Sequence, residues 1–121
     1  MPSMTGHKDQ ASREAALLQG TLDMLVLKVL AIEPLHGYGI AARLQQISKD
    51  ALQIRQGSLY PALYRLENKG WLRAEWRTTN EGRDAKYYRL TAAGRRQLDE
   101  QQASWQRLTE AIALVLSTQE P

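Results

Sequence analysis

Catalysis needs groups that move protons, attack a substrate or hold a metal, gathered at one place, and this sequence contains few of them. It has no cysteine and only two histidines, His7 and His36, which excludes disulfides, zinc ribbons, thiol catalysis and a His-rich metal site. No paired carboxylates, no nucleophile with a base and no glycine-rich phosphate loop occurs, so neither an enzyme nor a cofactor is expected. The side chains that do cluster are of another kind. Ser58, Tyr60, Tyr64 and Arg65 recur within a short stretch, and Arg83 and Lys86 follow. Hydroxyls, phenols and cations are the groups that hydrogen-bond phosphates and base edges.

The charge is concentrated around the same residues. The 121-residue chain has a net charge of +3. Residues 1–35 and 90–121 each sum to −1, whereas residues 36–89 carry ten bases against five acids, a sum of +5. A basic middle between slightly acidic ends suits a polyanionic partner, although a solvated basic surface has the same composition. Met1 to Ala16 is polar, with no apolar core of a signal peptide. The run from Leu22 to Ile32 is broken by Asp23 and Lys28 and is too short to span a bilayer. A soluble, cytoplasmic chain of one domain's size is expected, with no membrane partner.

Residues 1–16 show no periodicity and read as a flexible segment. Leu22, Leu25, Val26, Val29 and Leu30 then follow a helical period, with Thr21 as the expected cap and Pro34 as the stop, giving a helix over about residues 21–33. Ile40, Leu44 and Ile47 mark a second helix, about 37–48. Gly37 and Gly39 at its start suggest a close backbone approach, either to the first helix or to a phosphate.

A third helix, about 58–69, begins at Ser58 as expected cap, carries Pro61 in its first turn and ends before Gly70. Leu59, Ala62, Leu63 and Leu66 share one face, and Tyr60, Tyr64 and Arg65 lie on the other. The period then changes to two. Residues 71–78 and 85–90 read as strands of a β-hairpin, joined by turn residues Asn80 to Asp84. Thr91 caps a final helix running to about Ser117. On it Leu98, Trp105, Leu108, Ile112 and Val115 are spaced as a heptad seam, which suits an interface with a partner chain.

Three helices followed by a hairpin is the order of a winged helix-turn-helix, an α+β fold that is mainly α, here with a long C-terminal dimerisation helix. A major groove about 12 Å wide admits one α-helix, and the third helix is the one that presents Ser58, Tyr60, Tyr64 and Arg65. Arg83 and Lys86 on the hairpin reach the adjacent backbone or minor groove. The expected division is a flexible segment 1–16, a DNA-binding domain 17–91 and a dimerisation helix 92–117.

The chain also resembles a known family. Leu18-Gln19-Gly20-Thr21-Leu22, His36-Gly37-Tyr38-Gly39-Ile40, the stretch from Gly57 to Glu67, and Lys86-Tyr87-Tyr88-Arg89-Leu90-Thr91 with Gly94 are similar, in order and distance, to motifs of the PadR family of transcriptional regulators. The resemblance covers about residues 17–117 and is closest to the short-tailed branch with a single final helix. It implies a homodimeric bacterial repressor on double-stranded DNA. By position it implies DNA contacts for Tyr38, Ser58, Tyr60 and Arg65, with Arg83 and Lys86 on the wing. Asp84 stands where a second base is expected after Arg83. Structural alternatives exist: Tyr60 packing across the turn before the second helix, and Arg65 pairing with Glu67 or Glu75. Some relatives hold flat aromatic compounds between interface tryptophans, which makes Trp105 a candidate for a small aromatic effector as well as a plain interface anchor. A twofold dimer calls for a palindromic operator. The rival reading is a winged-helix module that docks onto another protein without specific DNA binding.

Overall fold

The structure, a computed structural model, describes residues 20–121. The segment 1–16 and the Leu18-Gln19 end of the first motif lie outside the described residues. Helix α1 covers residues 20–32. Thr21 lies within this helix instead of capping it, and the helix stops short of Pro34, whose ring disfavours helical backbone in the residue before it.

A two-residue strand that the sequence pattern does not announce follows, β1 (Leu35–His36). It pairs with Tyr88 and Tyr87 of the hairpin. Helix α2 (Gly37–Ile47) starts directly after it, with His36 as cap: its Nδ1 accepts the Gly39 N–H at 3.0 Å.

Helix α3 (Gln56–Asn68) begins two residues before Ser58 and has Arg55 at its cap without a side-chain bond. Ser58 therefore sits inside the first turn, not at its edge. Pro61 falls in the second turn, where it has no N–H to offer the Gly57 carbonyl. The far end closes as expected. Gly70 takes a left-handed φ of 77°, its N–H reaches the Glu67 carbonyl, and the Trp71 N–H reaches that of Leu66.

Strands β2 (Leu72–Thr78) and β3 (Asp84–Leu90) pair antiparallel from Leu72 opposite Leu90 to Thr78 opposite Asp84, so the sheet order is β1-β3-β2. Alternation turns Tyr88 into the core and leaves Tyr87 half-buried. Helix α4 (Ala92–Leu116) is capped by Thr91, whose hydroxyl accepts the Gly94 N–H at 3.0 Å and donates to the Gly70 carbonyl at 2.7 Å. One core joins the elements: Leu22, Val26 and Leu27 of α1, Ile40 and Leu44 of α2, Leu59, Leu63 and Leu66 of α3, Leu72 and Tyr88 of the sheet, and Leu98 of α4. Beyond Gln102 every residue of α4 is exposed. No helix among the described residues is long and apolar enough to cross a membrane.

Candidate nucleic-acid interface

The apolar stripe of α3 decides what the helix shows to solvent. With Leu59, Ala62, Leu63 and Leu66 buried, the opposite face carries Ser58, Tyr60, Pro61, Tyr64 and Asn68, all exposed. Tyr64 is 68% exposed and Tyr60 47%. Phenols left this open on a helix are not required by packing.

Arg65 departs from that face. Its Nη2 lies 2.9 Å from Asp23 Oδ1 on α1. Neither alternative acid holds it, because Glu67 bonds Lys86 and Glu75 bonds Arg77. Arg65 thus ties α3 to α1, and its guanidinium is engaged before any DNA arrives.

Tyr60 combines two expectations. Part of the ring is open, while its hydroxyl end lies against the α-carbon of Gly37; a methyl group there would stand 2.8 Å from the hydroxyl. The close approach implied by Gly37 is therefore to Tyr60 of α3, not to α1. Beside it, Tyr38 projects outward at 71% exposure. Its ring lies 6.4 Å from that of His36, which meets Tyr87 edge-on at 5.2 Å.

On the wing, Lys86 Nζ bonds Glu67 Oε1 at 3.2 Å and lies 5.5 Å from the Tyr88 ring. The hydrogen bond that Lys86 donates to Glu67 raises the Lys86 pKa, and burial raises that of the Tyr88 phenol. Lys86 links the wing to α3 and is only partly free for a phosphate. Arg77 bonds Glu75, holding that carboxylate below its ordinary pKa, and stacks over Tyr87. Arg83 is exposed at the loop, which closes through Thr79 and a left-handed Gly82. Asp84, beside it, accepts a bond from the Thr78 hydroxyl at 3.1 Å.

Wing and helices enclose an open groove of about 1010 Å³, whose walls include Tyr38, Tyr60, Trp76, Arg83, Lys86 and Tyr87. Trp76 has no place among the residues picked out from the sequence, yet it is 71% exposed. The signal was available in the alternation: Leu72 points inward, so Ala74 and Trp76 share its side of the sheet.

The C-terminal seam divides. Leu98 is 2% exposed in the subunit's own core and leaves no surface for a partner. Trp105, Leu108, Ile112 and Val115 are exposed, joined by Leu114 and Leu116. Trp105 and Leu108 also border a cleft of about 200 Å³ against Thr21 and Met24 of α1. No group of three or more His, Cys, Asp or Glu among the described residues could hold a metal ion.

A helix pair whose second helix shows an open polar-aromatic face, flanked by a two-stranded wing, defines a winged helix-turn-helix protein of the kind that regulates transcription on DNA. The chain belongs to the PadR-like family of transcriptional regulators, whose pattern matches residues 26–100. It is 33% identical over 87 residues to a transcriptional regulator of Mycobacterium tuberculosis, covering 72% of this chain and 78% of that one. A PadR family regulator from Eggerthella lenta superposes with a TM-score of 0.73 at 34% identity, over 95% of this chain and 99% of the other. A PadR-like transcription factor from Bacteroides fragilis does so with a TM-score of 0.70 at 32% identity, over 86% and 98%. The family is one of regulators, not of enzymes.

Proposed function

We propose that the chain acts in the cytoplasm as a homodimeric repressor that reads a palindromic operator. Helix α3 enters the major groove, with Ser58, Tyr60 and Tyr64 toward base edges and Tyr38 on the flanking phosphates. Arg83 on the wing contacts the adjacent backbone, and Lys86 contributes less because Glu67 already holds it. The observation that carries this reading is the exposed face of α3, where Tyr64 stands open and Tyr60 lines the groove under the wing. The open apolar seam of α4 from Trp105 to Val115 supports pairing of two copies, since apolar side chains at that spacing bury against a second helix. Two α3 helices about a twofold axis require half-sites about one helical turn apart, or a multiple of it.

The cleft at Trp105 supports one addition, a small planar aromatic effector seated between α1 and α4. Selection of duplexes from a random pool tests the main reading. A recovered palindrome, and blocked transcription from a promoter containing it, is the expected result. Failure to enrich any sequence favours the protein-docking alternative.

A further inference from the structure

Trp76 has an exposure that packing does not explain. It sits on β2 opposite Lys86, on the sheet face that begins with buried Leu72 and passes Ala74. That face turns toward α3, as the Lys86 to Glu67 bond requires. The indole therefore lines the inner wall of the groove between wing and α3, across from Tyr38 and Tyr60, and does not sit at the wing's tip.

Resting on the DNA reading above, we propose that this groove seats one sugar–phosphate strand of the duplex, with Trp76 packed on its deoxyribose rings. A helix in the major groove and a wing at the neighbouring minor groove must have between them the backbone strand that separates the two grooves. The chemistry of the walls fits such a strand. The exposed Trp76 face suits the C–H edges of sugars, and the Tyr38 hydroxyl can donate to a phosphate oxygen. The charges in the groove offset one another: Arg83 and Lys86 share its lining with Glu81 and Asp84, and Glu67 holds Lys86. Contact there is consequently apolar more than ionic. Trp76 would add affinity and fix the wing's reach without releasing counterions.

Hydroxyl-radical footprinting reports protection of individual deoxyriboses and tests this directly. The probe is a duplex recovered from a random pool by the unaltered chain. Trp76→Ala is expected to lose protection at the one or two sugars beneath the wing in each half-site, keeping the protection around α3. Affinity should fall about tenfold, with an unchanged slope of log affinity against log salt, because no phosphate contact is removed. Trp76→Phe should restore most of the protection. An Ala variant with the parental footprint and affinity overturns the proposal. So does uniform loss across the whole site in both variants, which marks a structural role. If the unaltered chain protects no sugars on any duplex, the DNA reading itself falls, and this inference with it.

Discussion

The Arg65 guanidinium reaches from α3 to the Asp23 carboxylate on α1 at 2.9 Å, joining residues 42 positions apart. Helix α3 is thus fixed to the first helix by charge as well as by the shared leucine core. Both side chains are partly shielded, which places the pair above the weakest surface ion pairs.

Arg65→Met and Asp23→Asn should each lower stability, with a coupling of about 1 kcal/mol in a double-mutant cycle. Thermal melts of the four proteins check this; each single substitution should cost about 4–8 °C. Additive effects would mean the pair contributes nothing. Arg65→Met should weaken operator binding through the seating of α3 and leave its salt dependence unchanged.

Two glycines should respond differently to the same added methyl. At Gly37 the methyl meets the hydroxyl end of Tyr60, a half-exposed side chain that can swing away. Gly37→Ala should therefore change stability by less than about 1 kcal/mol, helped by alanine's helix propensity, while reducing operator affinity because Tyr60 is displaced. At Gly94 the methyl would stand 2.1 Å from the Trp71 carbonyl oxygen. Backbone cannot yield so easily, and Gly94→Ala should cost about 1–3 kcal/mol or more. Chemical denaturation of both variants distinguishes the two cases.

The Lys86–Glu67 bond predicts a pH dependence on the alkaline side. Glu67 raises the Lys86 pKa above its ordinary value of 10.5. The folded state therefore holds the proton more tightly than the unfolded state. Its contribution is complete below that value and is lost as pH rises through the raised one. The stability difference between the unaltered protein and Glu67→Gln should stay constant from neutral pH to about pH 10 and shrink above it. Urea unfolding across that range measures the difference, and a gap that widens there would contradict the assignment.

Salt dependence separates the two wing cations. Arg83→Ala should reduce the slope of log affinity against log salt by about one per subunit. Lys86→Ala should reduce it by less, because the ammonium already faces a carboxylate at 3.2 Å. Equal reductions would show that Glu67 releases Lys86 on binding.

The fold was largely legible because its signals are local. The apolar periods of α2 and α3, the change to period two at Trp71, and Thr91 followed by Gly94 each mark an element that the structure contains. The two-residue strand Leu35–His36 was not, since so short a strand has no period and exists only through its pairing with β3. Ser58 is a good cap by type, but α3 starts earlier, with Arg55 at the cap position and no side-chain bond there to signal it. The candidate site was legible as a face and not as a set of partners. A helical wheel places Arg65 outward, but Asp23 lies across a tertiary contact that no spacing within α3 encodes. Leu98 continues the heptad by arithmetic, yet it belongs to the subunit's own core. Trp76 could have been found by carrying the alternation on from Leu72.

The central claim is that the outward side of α3 enters a duplex, and Tyr64 tests it most directly because it is 68% exposed. Operator titration of Tyr64→Ala in a low-salt gel shift, beside its thermal melt, is the decisive measurement. The expected result is a loss of affinity of at least about tenfold, the cost of roughly 1.4 kcal/mol of lost contact, with an unchanged melting temperature. Parental affinity from a stably folded Tyr64→Ala protein would contradict the account.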